Sequence, residues 1–124
     1  MLDYRLSPVE YLWDGSDLKE KSRVQTFLGS LKFTAEEMEH RIADLSEGQK
    51  CKILLAKLIL DHNDVLLLDE PTRNLSPLSG PRIRQILAEY GGCIIAVTHD
   101  RKFIEEVTDK VCSLENGVLR FIEQ

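Results

Sequence analysis

Two neighbouring acidic residues, Asp69 and Glu70, close the apolar run Val65–Leu68, and His99 follows a second apolar run, Cys93–Val97. A carboxylate pair at the end of a strand suits a magnesium–nucleotide complex. Magnesium takes oxygen ligands, usually one or two carboxylates together with substrate phosphates. Asp69 is then the candidate metal ligand. Glu70 is placed to orient or deprotonate an attacking water, an effect typically worth ~10²–10⁴-fold in rate. At the same edge, His99 is a candidate donor to developing phosphoryl charge. A third group is Ser46-Glu47-Gly48-Gln49. At a helix start, exposed N–H groups and the helix dipole favour an anion, with Gly48 allowing close approach and Ser46 and Gln49 donating hydrogen bonds. Glu47 opposes this unless it points aside. Each group also has a plainer reading: a strand running into solvent, a structural histidine, and an ordinary capped helix.

Positioning these groups requires strands and helices in a definite order. Ser7-Pro8-Val9-Glu10 combines a capping box with proline at the first helical position, predicting a short helix from Pro8 to Trp13. Asp17 with Glu20 opens a second helix, on which Val24, Phe27, Leu28 and Leu31 recur at helical spacing. Thr34 with Glu37 opens a third, reaching about Arg41. Ser46 with Gln49 caps the strongest helix, about Glu47 to Leu60, with an apolar face of Ile53, Leu54, Leu55, Leu58 and Ile59.

From residue 63 the pattern alternates. Val65–Leu68 and Cys93–Val97 read as buried strands, separated by a helix over Ser79–Tyr90 that Gly91-Gly92 ends. A short helix follows over Asp100–Val107. Asn116-Gly117 between Val111–Leu114 and Val118–Ile122 signals a hairpin. Strand, helix, strand implies a parallel pair with a right-handed crossover, whose ligands bind beyond the carboxyl ends of the strands. The chain thus divides into a helical part, 1–62, and an α/β part, 63–124.

At 124 residues, with 43% hydrophobic and 30% charged residues, the composition is that of a folded domain. No apolar run approaches the ~20 residues needed to cross a bilayer, and the first ten residues do not resemble a secretory signal. Membrane insertion is not expected, and the chain reads as cytoplasmic. The formal charge of −5 opposes a general nucleic-acid-binding role. Cys51, Cys93 and Cys112 form no CxxC pair and the three histidines no HExxH spacing, so no disulfide framework or zinc site is indicated.

The combination is more specific than its parts. LSEGQ at 45–49, VLLLDE at 65–70, NLS at 74–76 and THD at 98–100 occur in the order and spacing of an ATP-binding cassette (ABC) ATPase domain, whose carboxyl-terminal half this chain resembles over nearly its whole length. LSEGQ looks like the signature motif, VLLLDE like Walker B, NLS like the D-loop and THD like the switch-histidine loop. LAKLIL and HDRKF look closest to the ABC-F branch, whose soluble members act on ribosomes or in antibiotic resistance. The resemblance implies an incomplete P-loop NTPase fold, with a helical subdomain followed by a mostly parallel sheet, flanking helices and a hairpin. It also implies ATP and Mg²⁺ as cofactors of the complete domain. Asp69 would support magnesium, Glu70 would be the catalytic base and His99 would sense the γ-phosphate. Ser46, Gly48 and Gln49 would contact nucleotide held by a partner domain, and Asn74, Leu75 and Ser76 would sit at the domain–domain contact. Glu47 and Ser76 depart from the family's usual glycine and aspartate.

A phosphate-cradling loop needs GxxxxGK followed by Ser or Thr. The glycines, at 15, 29, 48, 80, 91, 92 and 117, include no two five apart and none followed by lysine. No residue before Ser7 suits the family's Q-loop. The expectation is an isolated chain without ATPase activity, completed by an amino-terminal half and a second cassette domain. The alternative is a non-catalytic module that pairs with an intact cassette. In the family's sheet the Walker A strand would lie between the strand ending at Val97 and that starting near Val111. Its absence is expected to leave an apolar slot and favour self-association or a rearranged sheet.

Overall fold

The computed structural model describes residues 3–122. The elements follow the order helix α1 (Pro8–Leu12), α2 (Leu18–Ser30), α3 (Ala35–Glu39), a 3₁₀ turn (Ile42–Asp44), α4 (Glu47–Leu60), strand β1 (Val65–Asp69), α5 (Gly80–Ala88), β2 (Cys93–Val97), α6 (Arg101–Val107), β3 (Val111–Glu115) and β4 (Val118–Ile122).

Local chemistry sets the helix starts. The boxes at Ser7/Glu10 and Thr34/Glu37 are reciprocal, each hydroxyl accepting from the backbone N–H three residues on while the glutamate accepts from the cap's own N–H. Asp17 caps α2 through the Glu20 N–H, and Asp100 caps α6 through those of Lys102 and Phe103. Helix α3 stops at Glu39, short of the predicted end near Arg41, because the chain turns extended at His40 and enters the 3₁₀ turn. Helix α5 likewise ends at Ala88 rather than Tyr90.

One hydrophobic core joins the helices to the α/β part. Val9 from α1, Leu28 from α2, Leu31 at the α2 carboxyl cap, Ile42 from the 3₁₀ turn, and Ile53 and Ala56 from α4 pack together with Leu66, Ile83 and Phe103. The buried side of α4 also includes Lys52, while Leu54 from the predicted apolar face points outward.

Strands β1 and β2 are parallel and in register from Val65↔Cys93 to Asp69↔Val97. Both were expected to be buried, and this is corrected. Leu66 and Leu68 face the core, but Leu67 is 74% exposed and Ile95 57%. A strand's side chains alternate between faces, and helices of the described residues cover only one face of this pair. The hairpin β3–β4 forms its own two-stranded antiparallel sheet. Its turn residues Asn116 and Gly117 both have positive φ, 51° and 77°, the left-handed pair that a tight hairpin requires. No strand of the described residues lies between β2 and β3. The expected slot is therefore seen as a free edge on β2 and an exposed apolar face beside it.

Candidate active site

Parallel pairing brings the carboxyl ends of β1 and β2 to one rim. The ladder extends one step past β1, where the Glu70 N–H donates to the Val97 carbonyl at 2.7 Å. Glu70 has φ 48°, left-handed for a residue with a side chain. Such a conformation costs on the order of 1–2 kcal/mol and persists where the surroundings hold it, often at functional sites. It turns the Glu70 carboxylate towards the loop after β2, where Oε1 lies 3.9 Å from His99 Nε2. The carboxylate is half-buried and the imidazole is 95% exposed, so a polyanion can reach the histidine from solvent while Glu70 stands against the protein. Asp69 lies on the exposed face of β1.

No group of three or more His, Cys, Asp or Glu side chains among the described residues is arranged to hold a metal. Two adjacent carboxylates nonetheless fit magnesium that draws its remaining ligands from water and phosphate oxygens. Asp69 would hold it, leaving Glu70 beside it to act on water, and the ion would supply charge neutralisation on the phosphates.

The start of α4 carries the remaining candidate residues. Ser46 Oγ accepts from the Gln49 N–H at 3.2 Å, as the capping pattern predicts. The reciprocal half does not form, because Gln49 Nε2 donates to Glu37 Oε2 at 3.0 Å. Glu37 already accepts from Thr34, and that backbone hydrogen bond is the main cause holding its pKa below the ordinary carboxylate value. Glu47, the first residue of α4, extends into solvent with Lys50 Nζ 3.4 Å from its Oε1, a partial counter-charge within the same turn.

Gly48 is pressed against the loop that follows β1. A Cβ at Gly48 would stand 2.7 Å from the Asn74 carbonyl oxygen. Asn74 Nδ2 also faces Cys51 Sγ at 3.6 Å. An open cleft of about 350 Å³ runs between α4 and this loop, lined by Cys51, Leu54, Leu67, Asp69, Glu70 and Asn74 among others. Ser76 faces its own chain, with its Oγ accepting from the Ser79 N–H at 3.3 Å. The structure thus brings Asp69, Glu70 and His99 to one rim, Gly48 and Asn74 into contact, and leaves Ser46 exposed.

Two features were not read from the sequence. Lys52, 5% exposed, donates from Nζ to the Leu31 carbonyl at 2.8 Å and stands over the Phe33 ring. Burial depresses its pKa, yet its position in an apolar stripe was the available signal. Thr72 Oγ1 donates to Asp100 Oδ2 at 2.7 Å, a contact across 28 residues that no local pattern marks.

Comparison with known proteins shows the family and the fold. The family model described as "ABC transporter" matches residues 2–73, more than half of the chain. The ribosome protection protein VmlR of Bacillus subtilis (strain 168) is 37% identical over 110 residues, covering 88% of this chain and 20% of that protein. ATP-binding cassette sub-family F member 2 of Mus musculus is 32% identical over 119 residues, covering 95% of this chain and 19% of that protein. The chain spans about a fifth of the length of these relatives. Among solved structures, the ATP-binding cassette MJ0796, described as a dimeric post-hydrolysis state bound to ADP and Pi, superposes with a TM-score of 0.77 at 21% identity. The match covers 99% of this chain and 60% of that one.

Proposed function

Because the chain belongs to the ABC transporter family, we propose that it supplies the signature helix and the hydrolytic carboxylate of an ATP-hydrolysing cassette. The observation carrying this reading is the pairing of Glu70 with His99 at the carboxyl ends of adjacent parallel strands. In this reading Asp69 supports magnesium, Glu70 takes a proton from the attacking water and His99 meets the γ-phosphate. Ser46, Gly48 and Gln49 receive the nucleotide held by a second cassette domain, and Asn74 and Ser76 stand at that contact. The backbone N–H groups at the start of α4 can still face an anion, but the Gln49 side chain must first leave Glu37 to join them.

Residues 1–62 then form the helical subdomain and 63–124 the α/β part. Nucleotide is held chiefly by a GxxxxGK loop, which these 124 residues do not contain, so the chain by itself does not turn over ATP. The exposed face of β1 and β2 and the free edge of β2 support completion by an amino-terminal half. F-branch relatives over most of the chain, and a relative named for ribosome protection, support a ribosome-associated role in the cytoplasm. No helix of the described residues is long and apolar enough to cross a membrane.

The same exposed face favours a second reading, a non-catalytic module that pairs with an intact cassette. Mixing the chain with a cassette half bearing the GxxxxGK loop and measuring phosphate release separates the two. Hydrolysis that appears on mixing and disappears with Glu70→Gln supports the first reading. Inhibition of an intact cassette, without complementation, supports the second. Steady hydrolysis by the pure chain, abolished by Glu70→Gln, would overturn the dependence on a second segment.

A further inference from the structure

Beyond the ends of their strands, the loops carrying Glu70 and His99 are joined by a side-chain hydrogen bond from Thr72 Oγ1 to Asp100 Oδ2. We propose that Thr72 and Asp100 form a clasp that sets the separation between the Glu70 carboxylate and the His99 imidazole. Both are positioning residues, and the proposal rests on the reading of Glu70 and His99 as the working pair.

Main-chain pairing of β1 with β2 ends at the hydrogen bond from the Glu70 N–H to Val97. Past that point each loop is free of the ladder. Thr72 lies two residues after Glu70, and Asp100 immediately follows His99, so the contact ties together the two segments that carry the pair.

Asp100 is itself firmly anchored. Its Oδ1 accepts from the N–H groups of Lys102 at 3.0 Å and Phe103 at 3.4 Å, capping α6. Its own N–H donates to Thr98 Oγ1 at 3.0 Å. Phe103 is fully buried and ties α6 to the core. Oδ2 is therefore a fixed acceptor, and the Thr72 hydroxyl draws the Glu70 loop to it. A hydrogen bond to a carboxylate is short and about twice as strong as a neutral one. The Thr72 hydroxyl is also the main cause holding the Asp100 carboxyl below its ordinary pKa. His99 is almost wholly exposed, so packing does not hold its ring; its place relative to Glu70 depends on the backbone that Asp100 anchors.

The test is ¹H–¹³C NMR of the His99 ring in this 124-residue chain, with His99→Gln used to assign the signal among the three histidines. Glu70→Gln is expected to move the His99 resonances. In the Thr72→Val background that response is expected to fall at least twofold, whereas Thr72→Ser, which restores the hydroxyl, keeps it. Thr72→Ala also removes the hydroxyl while leaving the Asp100 cap of α6 untouched, and it carries the same expectation should Thr72→Val fail to fold. An undiminished response to Glu70→Gln in Thr72→Val overturns the proposal, even if that variant melts earlier, because the contact would then only brace the loops. No response to Glu70→Gln in the parent chain overturns it as well. The measurement involves no ATP, so failure of the hydrolytic reading is registered separately by the mixing assay.

Discussion

Replacing Gly48 with alanine puts a methyl group 2.7 Å from the Asn74 carbonyl oxygen, well inside normal carbon–oxygen contact. The neighbour is main chain, which cannot swing aside as the end of a flexible side chain would. Two effects oppose each other. Alanine is preferred over glycine in a helix interior by up to about 1 kcal/mol, but Gly48 lies in the first turn of α4, where less of that gain is realised. Overpacking a tight site costs typically ~1–3 kcal/mol. The net expectation is a loss of about 1–2 kcal/mol. For a chain of this size that lowers Tm by roughly 3–8 °C. Circular dichroism at 222 nm during thermal unfolding reads this directly. Gly91→Ala is the matched control, because a Cβ there meets nothing within 4 Å and its φ is not positive. A Gly48→Ala chain that melts at or above the parent, or no lower than Gly91→Ala, refutes the contact between the signature turn and the Asn74 loop.

Lys52→Ala should destabilise the chain by about 2–3 kcal/mol in urea unfolding, since it leaves a cavity and strips the Leu31 carbonyl of its buried donor. Burial lowers the folded pKa of Lys52 below the ordinary lysine value of 10.5. Between those two values the unfolded chain binds more protons, so stability should rise with pH there, and Lys52→Met should remove that slope. Glu37 and Asp100 have folded pKa values lowered by the Thr34 backbone and the Thr72 hydroxyl respectively. Their contribution is complete above the unfolded values and is lost as pH falls from about 4.5 through the folded ones; Glu37→Gln should flatten part of that fall in urea titrations between pH 3 and 6. Leu67→Glu with Ile95→Glu, both on the exposed face of the parallel pair, should lower self-association in sedimentation while leaving the fold intact. Undiminished association would remove that face from the interface.

Much of the architecture was legible because its determinants are local. A hydroxyl or carboxylate three residues before a backbone N–H needs no distant partner, so the caps at Ser7, Asp17, Thr34 and Ser46 could be placed from sequence alone. Asn116-Gly117 specifies a tight turn by its tolerance of positive φ, and the apolar runs ending in Asp69-Glu70 and Thr98-His99 mark the strand ends that carry the candidate chemistry. Partner choice over long distances was another matter. Gln49 was expected to complete its own cap, yet it turns to Glu37 on a different helix. Lys52 sits in an apolar stripe, where only the three-dimensional path of α2 presents a carbonyl to it. Neither the Thr72–Asp100 clasp nor the left-handed backbone of Glu70 leaves a periodic trace in the sequence. An apolar run states that a strand prefers to be covered, while coverage depends on which layers the chain can bring to each face. That is why Leu67 and Ile95, as apolar as Leu66 and Leu68, stand in solvent.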